Sequence, residues 1–264
     1  MRFGVCAGVD VAPVLAEAGY DYIELSVAAD LAPETDDSTW SAHRHRIEQM
    51  PLPVEAFNSF VRSGKIVGPE ADFERLRRYV NTALERAARL GAEIIVFGSG
   101  GARHIPNGFD RAVARQQILD FLHLCADASE RTGVKVAIEP LNKRECNVLN
   151  LVSEGAAYAR EVARPGVGVL ADTFHMECES EPLDAILAAA DILLHVHTAD
   201  THRYAPGTGS YDYEALFRTL YQCGYNRRLS IECDFQGKLA TLAAPALSRL
   251  KAAYAAAYKG NAQT

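Results

Sequence analysis

Along the chain, stretches in which apolar residues recur every three to four positions alternate with short β-branched runs that stop at a polar residue. A glycine stands between many of these pairs. Ala18-Gly19 precedes Tyr22-Ile23-Glu24, Leu90-Gly91 precedes the run 94–98, Thr132-Gly133 precedes 134–139, Pro165-Gly166 precedes 167–172, and Cys223-Gly224 precedes Leu229-Ser230-Ile231-Glu232. Glycine just past a helix end supplies the left-handed residue that turns the chain back into a strand, so each copy reads as helix, turn, strand. Three further strands fill the gaps: Phe3-Gly4-Val5-Cys6, Val54-Glu55-Ala56-Phe57 after Pro53, and 192–197. Between the strands, Phe73, Leu76, Val80, Leu84, Ala87 and Ala88 make one apolar stripe with Arg and Glu opposite. Further amphipathic stretches follow Arg111, Ser153, Leu183, Tyr213 and Pro245. Strands alternating with helices demand parallel pairing and right-handed crossovers. Eight such units predict an α/β fold, a closed (β/α)8 TIM barrel, with an open doubly wound sheet as the alternative. No linker or change of composition divides the chain, so 1–258 reads as one barrel domain and 259–264 as a flexible C-terminal tail.

Composition narrows the class. With 264 residues, 48% of them hydrophobic, the chain can bury a large core and is not disordered as a whole. Lys and Arg total 27 against 34 Asp and Glu, and no basic stripe offers itself to a phosphate backbone, which argues against nucleic acid as a partner. The N-terminus carries no cleavable apolar segment and no apolar run is long enough to span a bilayer, so the expectation is a soluble cytoplasmic protein with no membrane partner. Cys6, Cys125, Cys146, Cys178, Cys223 and Cys233 are scattered without a C-x-x-C pair, which suggests reduced thiols and excludes zinc ribbons and fingers. Homo-oligomerisation is left open.

In such a barrel the carboxyl ends of all strands converge on one face, where catalytic side chains are placed. Glu139, Asp172 and Glu232 each terminate an apolar strand and His197 terminates another. Alone, any of them reads equally as a salt bridge or cap at a strand end. Together, three carboxylates at one barrel mouth would repel one another unless a cation neutralised them, and the imidazole completes a four-ligand set for one divalent metal ion. Oxygen and nitrogen ligation without thiolate suits Mn²⁺, Co²⁺, Fe²⁺ or Mg²⁺, with Zn²⁺ also compatible. Elsewhere, the turn Gly98-Ser99-Gly100-Gly101-Ala102-Arg103-His104 resembles an anion loop, with Arg103 its candidate anion-binding side chain and a tight turn the alternative. His195 shares the strand face of His197 and reads as a deeper core histidine. Glu24, ending the second strand, could anchor the pocket or bridge an arginine.

Several of these segments carry a family resemblance. Ile138-Glu139-Pro140-Leu141-Asn142, Asp172-Thr173-Phe174-His175-Met176, His195-Val196-His197 with Arg203 and Pro206-Gly207-Thr208-Gly209, and Ile231-Glu232 resemble the xylose-isomerase-like sugar isomerase and epimerase superfamily over nearly the whole chain. Within it the chain is most similar to ketose 3-epimerases of the tagatose and psicose type. The resemblance implies that Glu139, Asp172, His197 and Glu232 hold Mn²⁺ or Co²⁺, and that Glu145, His175 and Arg203 contact the oxygens of a small-molecule sugar. Locally, His175 could instead orient Asp172, Arg203 could be a solvated surface residue, and Glu145 could belong to an exposed charged turn.

Inverting a stereocentre beside a ketone requires removal of a carbon-bound proton and leaves negative charge on the carbonyl oxygen. A carboxylate on one face of the sugar takes the proton, an acid on the other returns one, and Glu139 and Glu232 are the natural catalytic pair for transfer through a metal-stabilised enediolate. Hydroxypyruvate isomerase and inosose dehydratase chemistry are the alternatives within the superfamily; His197 stands where hydroxypyruvate isomerases typically have Gln. An endonuclease IV-like DNA repair enzyme would need further histidines on strands two to four, where this chain has Phe57 and Gly98, although Asp200-Thr201-His202 loosely resembles its Asp-x-His pair. A non-catalytic sugar-binding barrel is the remaining reading. The first βα loop, 7–13, is very short and offers no aromatic to shape a sugar pocket, which leaves the substrate open.

Overall fold

In the computed structural model, which describes residues 1–260, the glycine-punctuated pattern becomes eight strands: β1 Arg2–Cys6, β2 Tyr22–Ser26, β3 Val54–Asn58, β4 Ile94–Phe97, β5 Lys135–Ile138, β6 Val167–Asp172, β7 Leu193–Thr198 and β8 Arg228–Ile231. Each pairs in parallel with its neighbour in sequence, and β1 pairs with β8 to close the barrel. The open-sheet alternative is thereby ruled out. Helices α1 Ala12–Ala18, α2 Asp37–Glu48, α3 Phe73–Arg89, α4 Gly100–Arg103, α5 Arg111–Thr132, α6 Val152–Val162, α7 Thr173–Cys178, α8 Asp184–Ala188, α9 Tyr213–Gln222 and α10 Leu239–Gly260 supply the crossovers. The tail expected over 259–264 lies, from 261 onward, outside the described residues. Among the described residues no helix is long and apolar enough to cross a membrane, and all six cysteines are free.

Two helices differ from expectation. The last begins at Leu239 and carries Pro245 inside it. Proline in a helix interior costs about 3 kcal/mol, but Ala243, Ala246, Leu247, Leu250 and Ala253 are all buried at three- and four-residue spacing, and that burial holds the helix together through the proline. Helix α2 was not anticipated, because it buries only Trp40 and Ile47; it starts where the Asp36 carboxylate accepts a hydrogen bond from the Thr39 amide at 2.7 Å.

Side chains alternate between the lumen and the helix layer along the strands, with a register shift between β6 and β7 that lets both Leu194 and His195 face inward. The outward set forms the main core, with Val5, Ile23, Leu25, Phe57, Ile95, Phe97, Val136, Ile138, Val169, Val196, Leu229 and Ile231 packed beneath the helices. The inward set makes a separate cluster low in the barrel: Tyr22, Ala56, Ile94, Val96, Ala137, Leu170 and Leu194. Tyr22 crosses the lumen because Gly4 leaves room; a Cβ on Gly4 would lie 2.3 Å from the Tyr22 ring. Two residues further along the same strands the inward positions turn polar, so that Ala137 is followed by Glu139, Leu170 by Asp172, Ala56 by Asn58 and Tyr22 by Glu24. One period-two step thus converts a packed plug into a polar mouth.

Candidate active site

Glu139, Asp172, His197 and Glu232, from β5, β6, β7 and β8, each place one ligand atom within 4.8 Å of the other three. Strand register sets this convergence: Asp172 pairs with His197 across β6 and β7, while the Glu139 and Glu232 amides continue the ladder to Phe97 and Thr198, both at 3.0 Å. Gly98 admits the Glu139 carboxylate over the end of β4, where a Cβ would stand 2.3 Å from Oε2. Asp172 Oδ1 accepts the Phe174 amide at 2.7 Å, whereas its Oδ2 is buried with no hydrogen-bond partner. The His175 Nε2 is buried and unpartnered as well, 3.8 Å from Asp172 Oδ2 and too far for a hydrogen bond between them. Two unpaired buried polar atoms beside the same cluster fit a site built for a polar ligand.

His197 is the pivot. Its Nε2 lies 2.9 Å from Glu24 Oε1, and its Nδ1 lies 3.1 Å from Glu232 Oε2 and 3.3 Å from Glu139 Oε1. Glu24 is completely buried and its other oxygen accepts from Ser230 Oγ at 2.6 Å and sits 2.9 Å from His195 Nε2. Glu24 therefore bridges two histidines rather than an arginine, and His195 is the core histidine its position suggested. Burial opposes charge on Glu24, but His197 and His195 hold it well below the usual carboxylate range. A carboxylate on Nε2 fixes the tautomer that leaves the Nδ1 lone pair aimed into the cluster, the usual brace of a metal-ligating histidine.

The electrostatics point the same way. Burial, with the Glu232 and Glu139 charges adding to it, pushes Asp172 up to about 6 against the pull of His175. Burial also opposes ionisation of Glu232, yet the His197 hydrogen bond and charge, together with Arg203, bring its carboxyl down to about 2. One acid is thus frustrated and another firmly ionised within one cluster. A divalent cation would relieve the frustration, and the donors of three carboxylates and one imidazole suit one.

The residues expected around the substrate gather above this cluster. Glu145, His175 and Arg203 line, with Glu139 and Glu232, a cavity of about 360 Å³. The Asn142 amide donates to His175 Nδ1 at 3.2 Å, which leaves the Nε2 as the proton-bearing nitrogen. Asn142 Nδ2 donates to Glu145 Oε1 at 2.9 Å, so one buried asparagine positions both neighbours. Arg203 meets Glu232 Oε2 at 2.9 Å and Glu145 Oε1 at 3.5 Å, with its guanidinium carbon 4.9 Å from the Phe174 ring centre. It reaches there from a loop in which His202 and Arg203 are both left-handed, at φ 63° and 62°. The buried Asp200 carboxylate braces that loop by accepting the amides of Thr201, Gly207 and Tyr211. Asp200 is thereby committed to backbone donors, so its likeness to an Asp-x-His metal pair does not carry over.

Arg103 stands elsewhere, and the expectation that it binds an anion is corrected. It is fully buried, and its guanidinium donates to the carbonyls of Phe97, Glu139 and Leu149 at 3.0, 2.9 and 3.2 Å. It ties the ends of β4 and β5 to the following loop and does not line the cavity. Glu24 and Asn142 are the residues whose roles the sequence left undetermined. Glu24 could be found from its parity with Tyr22 on β2; Asn142 gave no signal beyond its closeness to Glu139.

The chain matches the xylose isomerase-like TIM barrel family over residues 13–253. It is 34% identical over 224 residues to an L-ribulose 3-epimerase of Mesorhizobium japonicum, covering 82% of this chain and 72% of that protein. It is 30% identical over 233 residues to a putative hydroxypyruvate isomerase of Streptomyces coelicolor, covering 82% of each. Its matches to two further bacterial epimerases span only 42% and 43% of their lengths. The fold superimposes on a solved D-psicose 3-epimerase with a TM-score of 0.82 at 22% identity, covering 96% of this chain and 99% of that one, a likeness that bears on the fold alone. With the family model spanning β2 to β8, from α1 into α10, the chain belongs to the xylose isomerase-like TIM barrel family.

Proposed function

We propose that this protein is a divalent-metal-dependent sugar epimerase that inverts C3 of a ketose by proton transfer between its two active-site glutamates. The observation that carries the reading is the meeting of Glu139, Asp172, His197 and Glu232 around the unpartnered Asp172 oxygen. These four would hold the ion, with Mn²⁺ or Co²⁺ the metals that the family resemblance implies and the donor set admits. When bound, the ion supplies a Lewis acid that stabilises negative charge on the substrate carbonyl oxygen.

The chain's own groups do the rest. Glu139 and Glu232 come from strands three positions apart around the barrel, so a sugar above the cluster lies between them. Glu232, kept ionised by His197 and Arg203, is charged as a base should be, and it takes the C3 proton of one epimer. Glu139 returns a proton to the opposite face, and the roles reverse with the other epimer. His175, pinned through Nδ1 by Asn142, donates its Nε2 proton to a substrate oxygen. Arg203 and Glu145, already in contact with one another, flank the sugar and hold its hydroxyls.

The test is a screen of the metal-reconstituted protein against ketohexoses, ketopentoses, their phosphates, inososes and hydroxypyruvate, read by NMR in D₂O. Epimerisation with deuterium at the inverted carbon is expected. Conversion without solvent label, or turnover of hydroxypyruvate alone, would replace this reading with a hydride shift or with the aldose–ketose isomerisation of the alternative branch.

A further inference from the structure

We propose that the substrate is a neutral ketose carrying a second ring, or a substituent of similar size, seated in an outer lobe of the barrel mouth. This inference rests on the epimerase reading and names the substrate class for that same site. The mouth is divided in two. The inner cavity of about 360 Å³ holds every residue assigned to the reacting sugar that reaches the surface. Beside it lies an outer cavity of about 610 Å³, and the two share Asn58, Arg203 and Glu232. Pockets for whole small molecules occupy roughly 300–1,000 Å³, so the inner lobe alone accommodates a free hexose and the outer lobe is surplus to it. The short β1–α1 link, Ala7 to Val11, is what leaves this space open. Enzymes draw on contacts to remote parts of a substrate to position its reacting centre, and the outer lobe is placed for such contacts.

Its chemistry selects what enters. Both guanidinium groups on its wall are already paired, Arg46 with Asp10 at 2.9 Å and Arg203 with Glu232 at 2.9 Å. The remaining charged side chains that reach the surface there, Asp30 and Asp234, are acids. A phosphate would meet repulsion without a free cation to offset it. Hydroxyl groups, which donate to carboxylates, are suited instead, and no aromatic face lines the lobe to favour a flat apolar group.

Three sugars that differ only at O6 test this: D-fructose, isomaltulose, in which O6 carries a glucosyl ring, and fructose 6-phosphate. C3-proton exchange into D₂O is followed by NMR for the Mn²⁺-loaded wild type and for the double variant Gly8→Trp/Ala29→Trp. Both positions line the outer lobe, and Gly8 is extended, at φ −84° and ψ 162°, with nothing within 4 Å of an added Cβ. The expected result is kcat/KM for isomaltulose at or above that for fructose, fructose 6-phosphate worse than isomaltulose by about tenfold or more, and an isomaltulose-to-fructose ratio cut roughly tenfold in the variant. Isomaltulose worse than fructose by about tenfold, fructose 6-phosphate as good as isomaltulose, or a ratio unmoved by the two tryptophans would each overturn the proposal. Should none of the three sugars exchange, the epimerase reading stands or falls on the wider ketose screen, and calorimetric binding to the Mn²⁺-loaded protein decides the lobe separately. Isomaltulose binding more tightly than fructose, and losing that advantage in the variant, would sustain the lobe; equal binding or none would overturn it.

Discussion

The two halves of the barrel rim are built from the same repeating unit yet do different work. Strands β5 to β8 end in Glu139, Asp172, His197 and Glu232, whereas the corresponding inward positions of β1, β3 and β4 are Cys6, Asn58 and Gly98. The late half concentrates charge; the early half supplies space. Glu24 of β2 links them, reaching over the lumen to brace His197 and His195. The contrast shows how a symmetric scaffold becomes directional: reactive groups gather on one arc, and small or neutral residues opposite leave room for a ligand to approach it.

That division of labour yields graded expectations. Glu232→Gln, on the late arc, should lower turnover by roughly 10²–10⁴ and weaken metal binding as well, because one carboxylate serves both; steady-state kinetics with a Mn²⁺ titration measures the pair, and full activity would refute the assignment. Gly98→Ala tests the early arc as a spacer. A Cβ there must displace the Glu139 carboxylate, and since a misplacement of about 1 Å at a reacting group can cost on the order of 10² in rate, a comparable loss is expected with the fold intact by circular dichroism. Glu24→Gln should leave the ligands in place but loosen the His197 tautomer, weakening Mn²⁺ affinity by about 10–100-fold in a calorimetric titration that needs no turnover. The metal's effect on the fold itself should be the mildest of these. Restoring Mn²⁺ to a hundredfold excess over its Kd should stabilise the fold by about 2.7 kcal/mol, seen as a rise in Tm that Ca²⁺, a poorer match to an imidazole site, reproduces less well.

Much of this is legible in the sequence. Five strands could be placed because a glycine after a helix and a polar residue after a β-branched run bracket them, and the other three filled the gaps between these. The four clustered side chains were legible because they are those terminal polar residues. What escaped was set by contacts rather than by pattern. Helix α2 turns only Trp40 and Ile47 inward, so it shows no apolar stripe, and its Asp36 cap was the one local sign of it. Arg103 reads from its glycine-rich surroundings as an anion binder, but three carbonyls at converging strand and loop ends required donors, and the arginine turned inward to supply them. Glu24 looked like any acid at a strand end, since its partners lie more than 170 residues away and only barrel closure brings them within 2.9 Å. Period and punctuation reach as far as topology and parity; which polar atom meets which is decided when β8 closes on β1.

Anomalous diffraction from crystals grown with Mn²⁺ goes to the core of the matter. A single strong peak coordinated by Glu139, Asp172, His197 and Glu232, with His197 binding through Nδ1 while Nε2 stays on Glu24, is the expected result. A peak elsewhere, or none at saturating Mn²⁺ with the four side chains splayed apart, would contradict it.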